Sequence, residues 1–317
     1  MSAVPIIVWC HPRSCSTAFE RSFLQRKDTK VYHEPFSDPF YFGEARPCKR
    51  YSEDECREHE AYHSSIEQVA MKLLDDAKNQ DGTSHRFLFI KDMAQFIFPA
   101  SSLHAWHPTS KVFPATDEAT TAAPPSPMEN PTVLPTALLR RFKHTFLMRT
   151  PERSVPSYYK CTQNNAAGFN FFDPAEMGFV ELQRLYDWMA NPASTFHTDP
   201  DDERFAAWPV QTSHGPPPLM DASVLLSHPG YVVSLYCEAT QVPFDPSMLS
   251  WDQGAVDIWA KWGTYHAAAE QSSGFQETKM ETPLEEQPSI VKDTIAQLMP
   301  IYHALLEHCT IQAPQKK

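Results

Sequence analysis

Pro5-Ile6-Ile7-Val8-Trp9-Cys10 is an uninterrupted apolar run that stops abruptly in the polar turn His11-Pro12-Arg13-Ser14. A run this short and without alternation suits a strand buried on both faces of a parallel sheet, because neither side is left to face water. Helical spacing follows over Ser16 to Gln25, through Ala18, Phe19, Phe23 and Leu24. The alternation continues along the chain. Lys30 to His33 reads as a second strand stopped by Pro35, and Ser52 to Asn79 as a helix. Arg86 to Lys91 and His144 to Met148 read as strands, with a helix from Glu152 to Cys161. Leu219 to Asp221 is the last predicted strand, followed by helices over Pro229 to Thr240, Val256 to Ala269 and Ile290 to Cys309. Strands alternating with helices predict an α/β fold, three layers with a central parallel sheet.

The chain has 317 residues, which a length prior allows as one domain or two. Two segments lack periodicity, 107–135 (rich in Pro, Thr, Ala and Ser) and 191–218, which ends in Pro216-Pro217-Pro218. We read the first as a mobile insertion and the second as a proline-rich loop, both inside a single domain spanning 1–317. Against 27 lysines and arginines stand 39 aspartates and glutamates, a formal net charge of −12. That balance argues against a nucleic-acid surface but leaves room for a small cationic pocket. Seven scattered cysteines, without a Cys-x-x-Cys pair, indicate neither a zinc ribbon nor a disulfide framework. No stretch is apolar for long enough to cross a bilayer, and the apolar start has no charged region before it. The expectation is a reduced cytoplasmic protein without a membrane partner; a homodimer is compatible with it.

Trp9 to Thr17 lies between the first strand and the first helix. A loop there aims backbone N–H groups and the positive end of the helix dipole at one place. Ser14, Ser16 and Thr17 add hydroxyls, and Arg13 adds a guanidinium suited to phosphate or sulfate. An ordinary N-capping turn would use the same serines and threonines. The Walker A pattern of nucleotide-hydrolysing loops is absent. A second run, His144 to Tyr159, puts Arg149 at the end of a strand and Ser157 eight residues later in the next helix.

Together the two motifs resemble the PAPS-dependent sulfotransferases, most of all the bacterial and fungal branch whose loop reads Arg-Ser-x-Ser-Thr. The resemblance runs from roughly residue 5 to residue 275, with a further echo in Pro243 to Leu249. It implies a P-loop-containing nucleotide-hydrolase-like fold and PAPS as cofactor, with PAP as product and no metal. It implies that Pro12, Arg13, Ser14, Cys15, Ser16 and Thr17 bind the 5′-phosphosulfate, and Arg149 and Ser157 the 3′-phosphate. The reaction implied is sulfuryl transfer to a hydroxyl or amine of a small-molecule acceptor. Three departures stand out. Arg13 replaces the family's lysine, and Cys15 stands where glycine is usual, which asks for a loop that bends differently. The late Arg-Lys-Gly clamp has no counterpart. The alternatives are the same fold redirected to a PAPS-independent cyclisation or elimination, and a non-catalytic anion-binding module.

The histidine base of the cytosolic members falls on Met93, after Lys91-Asp92. A methionine takes no proton. Glu34 is the first replacement by resemblance, and His33 its rival or its orienting partner. Regular strand alternation would let only one of them face the pocket. Either residue could instead cap the turn before Pro35, and Lys91 with Asp92 could be a strand-end ion pair rather than a site. Lys91 is expected to assist at the leaving oxygen and Arg13 to stabilise the departing phosphate. His266 reads mainly as a surface helix histidine. Phe169, Phe171 and Phe172, near Asn164 and Asn165, are candidates for an acceptor wall or for core. His59-Glu60-Ala61-Tyr62-His63 matches the zinc-protease pattern, with Asp81 and His85 as convenient third ligands, but its polar flanks favour a solvated helix. His104 and His107 form a weak metal pair.

Overall fold

A computed structural model of the chain describes residues 2–78, 85–115, 126–164, 166–211, 215–277 and 282–314. Its centre is a sheet of five strands, β1 (Val4–Cys10), β2 (Thr29–His33), β3 (Phe87–Met93), β4 (Lys143–Met148) and β5 (Leu219–Asp221). All neighbours are parallel, in the order β2-β3-β1-β4-β5. All of β3 is buried, including Lys91 and Asp92, and β1 is buried from Pro5 on. A parallel sheet covered on both faces leaves no position for alternation, which explains the continuous apolar runs. The predicted α/β three-layer architecture is present. Helix α1 (Ser16–Leu24) packs on one face, with Phe23 stacked on Phe89 at 3.8 Å and Phe19 edge-on to Tyr236 at 4.8 Å.

Strand order reverses at β1, whose neighbours β3 and β4 lie on opposite sides. In open α/β sheets ligands bind at the carboxyl ends of the strands beside such a reversal. The strand ends are in register there: His33 pairs with Lys91, and Lys91 with Val8.

Two predicted helices differ from what the structure contains. The stretch expected over Ser52 to Asn79 breaks into Glu53–Glu58 and Ile66–Asp76, each started by a capping box, at Ser52 and at Ser65; Asn79 lies outside the described residues. His59, at the break, is extended, with φ −81° and ψ 138°. The two histidines of the zinc-protease pattern therefore share no helix face. The His59 ring stacks on Phe42 at 3.9 Å, and its Nδ1 accepts the Ala61 N–H. Asp81 lies outside the described residues. His104 Nδ1 bonds the Phe113 carbonyl, while His107 Nε2 meets Glu181 at 2.8 Å, so this pair is divided too.

The α-helix expected over Val256 to Ala269 is instead a 3₁₀ segment, Asp257–His266, kinked at Gly263 and followed by a short α-turn, Ala267–Glu270. Trp259 and Trp262, three residues apart, share a face before the kink, Tyr265 follows it, and all three are buried. The described ends of the 107–135 segment pack inward through Val112, Phe113 and Leu134; residues 116–125 lie outside the described residues. Among its described residues the 191–218 segment holds two short turns, the helical Thr195–Thr198 and the 3₁₀ Glu203–Phe205. Among the described residues no helix is long and apolar enough to cross a membrane.

Candidate active site

A cavity of about 400 Å³ opens over the carboxyl ends of β1 to β4, within the usual range for small-molecule sites. Pro12, Arg13, Cys15, Ser16 and Thr17 line one side of it. Arg149, Ser157, Glu34 and Lys91 line the rest of its floor. The motifs that lie far apart in sequence meet here. The Arg13 Nε–H donates to Ser157 Oγ at 2.9 Å, and Arg149 Nη1 donates to the Arg13 carbonyl at 3.3 Å. Arg13 also donates to the Tyr265 carbonyl. Ser14 and His33 are the predicted site residues that do not reach the cavity wall. The Ser14 hydroxyl is buried and has no hydrogen-bond partner among the described residues.

The loop is not a capping turn. Cys15 occupies the N-cap of α1, and no side chain caps the helix although Ser14, Ser16 and Thr17 are adjacent. By contrast, Ser52 and Ser65 cap their helices fully. An uncapped first turn lining a cavity between two arginines is a seat for an anion. It fits a phosphosulfate. Cys15 itself takes the left-handed conformation that glycine would (φ 66°, ψ 14°), and Arg13 does likewise at φ 63°. The loop therefore keeps the glycine-type bend and tolerates a side chain in it, at about 1–2 kcal/mol of backbone strain per residue.

Sequence reasoning missed His11, which ties this loop to β4. Its Nε2 accepts the Arg149 backbone N–H at 2.9 Å, and its Nδ1–H donates to the Pro12 carbonyl at 2.9 Å. The bond that Nε2 accepts requires a neutral ring, and burial pushes the pKa down to about 3 from an ordinary 6.5. With the folded value below the unfolded one, the unfolded chain takes up the proton first. The contribution of His11 is thus intact above its ordinary pKa and is lost as pH falls. Relative to His11→Gln, which does not titrate, the protein should lose about 1 kcal/mol of stability between about pH 7 and about pH 5.5. Urea midpoints at the two values measure this; a difference that ignores pH would contradict the neutral bridge.

Glu34 does not follow regular strand alternation. It takes φ 48°, immediately before Pro35, and this kink brings its carboxylate onto Lys91 Nζ in a fully buried pair. Burial opposes the charge on Glu34, but the Lys91 ammonium outweighs it and holds the carboxyl below its ordinary range. Asp92 is not the partner of Lys91; it accepts the backbone N–H groups of Phe36 and Met93. His33 stands one layer behind. Its Nδ1 meets Glu20 Oε2 at 2.7 Å, and its Nε2 meets His266 Nε2 at 3.1 Å. His266 lines the cavity and is buried at 7% exposure, so it is no surface histidine. Its Nδ1 lies 3.1 Å from Thr17 Oγ1. Glu20, also missed, accepts the Trp259 indole N–H at 2.6 Å. Its sequence signal is an acidic residue one turn after Ser16, in the helix stripe that carries Phe19 and Phe23.

The opposite wall is aromatic: Tyr41, Phe96, Tyr158, Phe169 and Trp262. Of the predicted phenylalanines only Phe169 lines the cavity. Phe171 lies against the Arg50 guanidinium, and Phe172 packs on Tyr158 and Tyr159. Asn165 is outside the described residues. Behind the wall Arg50 and Glu176 form a buried ion pair, with the Tyr158 hydroxyl donating to Glu176 at 2.9 Å. Where the late clamp is missing, Ser272, Gly274 and Gln276 form the rim.

Comparison with known proteins bears on the same region. A family model described as a sulfotransferase domain matches residues 202–309, the part of the chain that carries Tyr265, His266 and this rim. The fungal protein named Sulfotransferase ppzF, from Metarhizium majus (strain ARSEF 297), is 27% identical over 227 residues, 68% of this chain and 61% of its own length. Its namesake from Metarhizium rileyi (strain RCEF 4871) is 32% identical over 132 residues, 39% of this chain and 34% of that one. Over these stretches the chain is similar to sulfotransferases. Two plant relatives, branched-chain-amino-acid aminotransferase-like proteins 1 and 2 of Arabidopsis thaliana, are 24% identical over 95% and 96% of this chain, and in each case 41% of their own length. The chain thus spans about two fifths of the length of those curated relatives. A solved sulfotransferase domain from the curacin biosynthetic pathway aligns over 94% of this chain and 98% of that one, at 14% identity and a TM-score of 0.37.

Proposed function

We propose that this chain is a sulfotransferase that moves a sulfuryl group from PAPS to a hydroxyl or amine of a small molecule. The observation that carries the reading is the 2.9 Å bond between Arg13 and Ser157, which joins the two anion motifs beside the uncapped start of α1. When bound, PAPS supplies an activated sulfuryl group whose leaving group is a phosphate. Arg13, Ser16, Thr17 and the first-turn N–H groups of α1 hold the phosphosulfate end, while Arg149 and Ser157 hold the 3′-phosphate. Lys91 faces the leaving oxygen, and Glu34 keeps Lys91 charged. Burial alone would lower the Lys91 pKa, but the carboxylate beside it raises the value above the ordinary one. The aromatic wall holds the acceptor in line with the sulfur, which accounts for much of the rate such sites deliver.

The acceptor must also lose a proton. Glu34, tied to an ammonium, binds a proton less readily than an ordinary glutamate, so it is a poor base. The imidazole at the cavity wall is His266. Mass spectrometry of a panel of small alcohols, phenols and amines incubated with the protein and PAPS tests the reading. The expected result is an acceptor that gains one SO₃ while PAP accumulates. PAP that binds without turnover of any acceptor would favour the non-catalytic anion module.

A further inference from the structure

From half-buried Thr17 at the cavity wall a file of polar groups runs inward: Thr17 Oγ1, both nitrogens of buried His266, both nitrogens of buried His33, and the buried Glu20 carboxylate, which the Trp259 indole anchors. The successive separations are 3.1, 3.1 and 2.7 Å. We infer that Thr17, His266, His33 and Glu20 form a proton relay, in which His266 is the base for the acceptor and Glu20 the final proton store. The inference rests on the sulfuryl-transfer reading for its purpose, but its geometry stands without it.

Hydrogen-bond polarity decides how such a file works. With Glu20 ionised, His33 Nδ1–H donates to it, so neutral His33 has a bare Nε2. That nitrogen accepts from His266 Nε2–H, which leaves His266 Nδ1 bare and ready to accept the Thr17 hydroxyl proton or the acceptor's. As transfer proceeds, the acceptor O–H proton passes to His266 Nδ1, directly or through the Thr17 hydroxyl. His266 Nε2–H passes its proton to His33 Nε2, and His33 Nδ1–H passes its proton to Glu20 Oε2. The electron pair of the broken O–H bond becomes the new O–S bond, and the S–O bond that breaks leaves its pair on the departing phosphate. Each link reverses its polarity, and neither imidazole need carry a charge at the end.

That last property matters in this location. Burial and the nearby Lys91 and Lys261 ammonium groups both disfavour an imidazolium at His33 or His266. A lone histidine base would have to become one. Glu20 can instead hold the proton, since burial pushes its pKa up to about 7. The same Nε2 pair and Glu34 also converge as a cation site would, within 4.8 Å of one another. The Lys91 ammonium already occupies the Glu34 carboxylate, however, and a second cation there would meet it at close range.

Nitrogen-15 NMR of the imidazoles in the full chain tests the relay without any variant. At about pH 8.5, above the Glu20 value, His33 should carry its proton on Nδ1 and His266 on Nε2. In Glu20→Gln the indole still holds the side-chain oxygen, so the amide donates to His33 Nδ1 and both tautomers should invert. His266 then presents an N–H to the cavity and cannot accept a proton. Turnover should fall roughly 10²–10³-fold, with PAP affinity unchanged. Wild-type turnover in Glu20→Gln would overturn the relay. So would a doubly protonated ring in the unmodified chain, or a stoichiometric metal on the two Nε2 atoms detected by elemental mass spectrometry. PAP binding to the unmodified chain reports on the donor reading and the tautomers on the relay, so the two can fail separately.

Discussion

Arg149→Ala should lower affinity for PAP roughly 10²–10³-fold, the effect of losing a charge-assisted contact to a phosphate from a partly desolvated site. Arg149 is almost fully buried, its main chain is pinned by His11, and its side chain lies against the Arg13 carbonyl. Burial, together with the neighbouring Arg153 and Arg13, lowers its pKa. A buried cation beside other cations is a poor arrangement for the free protein and a good one for a protein that closes on an anion. The substitution should therefore leave the stability of the free protein unchanged or raise it. Calorimetric titration with PAP, beside urea unfolding without ligand, separates the two effects. Weakened binding accompanied by an equally large loss of stability would point to a structural arginine instead.

Lys91→Met should reduce turnover roughly 10²–10³-fold, as removal of one preorganised donor at a developing negative charge does elsewhere. It should also destabilise the fold by about 3–5 kcal/mol, because Glu34 would lose its buried partner. The double substitution Lys91→Met with Glu34→Gln distinguishes the two contributions. Without charge on either side the pair no longer opposes folding, so stability should return while turnover does not. Recovery of turnover along with stability would leave Lys91 no part in the chemistry. Steady-state rates and urea midpoints of the three proteins measure both quantities.

The sheet was legible because strands buried on both faces leave long apolar runs, as β1 and β3 do. The anion loop was legible for a related reason: its chemistry is local, and Arg13, Ser16 and Thr17 lie within five consecutive residues. The geometry around His33, Glu34 and His266 was not legible. The alternation argument for His33 against Glu34 assumes a regular strand, and the strand ends where Glu34 turns left-handed at φ 48°. Nothing in His-Glu-Pro announces that turn, since the residue before proline is ordinarily pushed toward extended geometry. His266 was hidden by a kink. The expected helix breaks at Gly263, which takes φ 54° and ψ −125°, and beyond it Tyr265 and His266 are buried at the cavity wall. Glu20 and His11 act through partners 13 and 138 positions away, at separations no local pattern reports.

The proposed transfer requires one cavity to hold both phosphates of a nucleotide sulfate donor. Isothermal titration of the full chain with PAP decides whether it does. One PAP should bind per chain, far more weakly in Arg149→Ala and equally well in Glu20→Gln. An unmodified chain that gives no binding heat with PAP, and whose unfolding midpoint does not move when PAP is in excess, would contradict it.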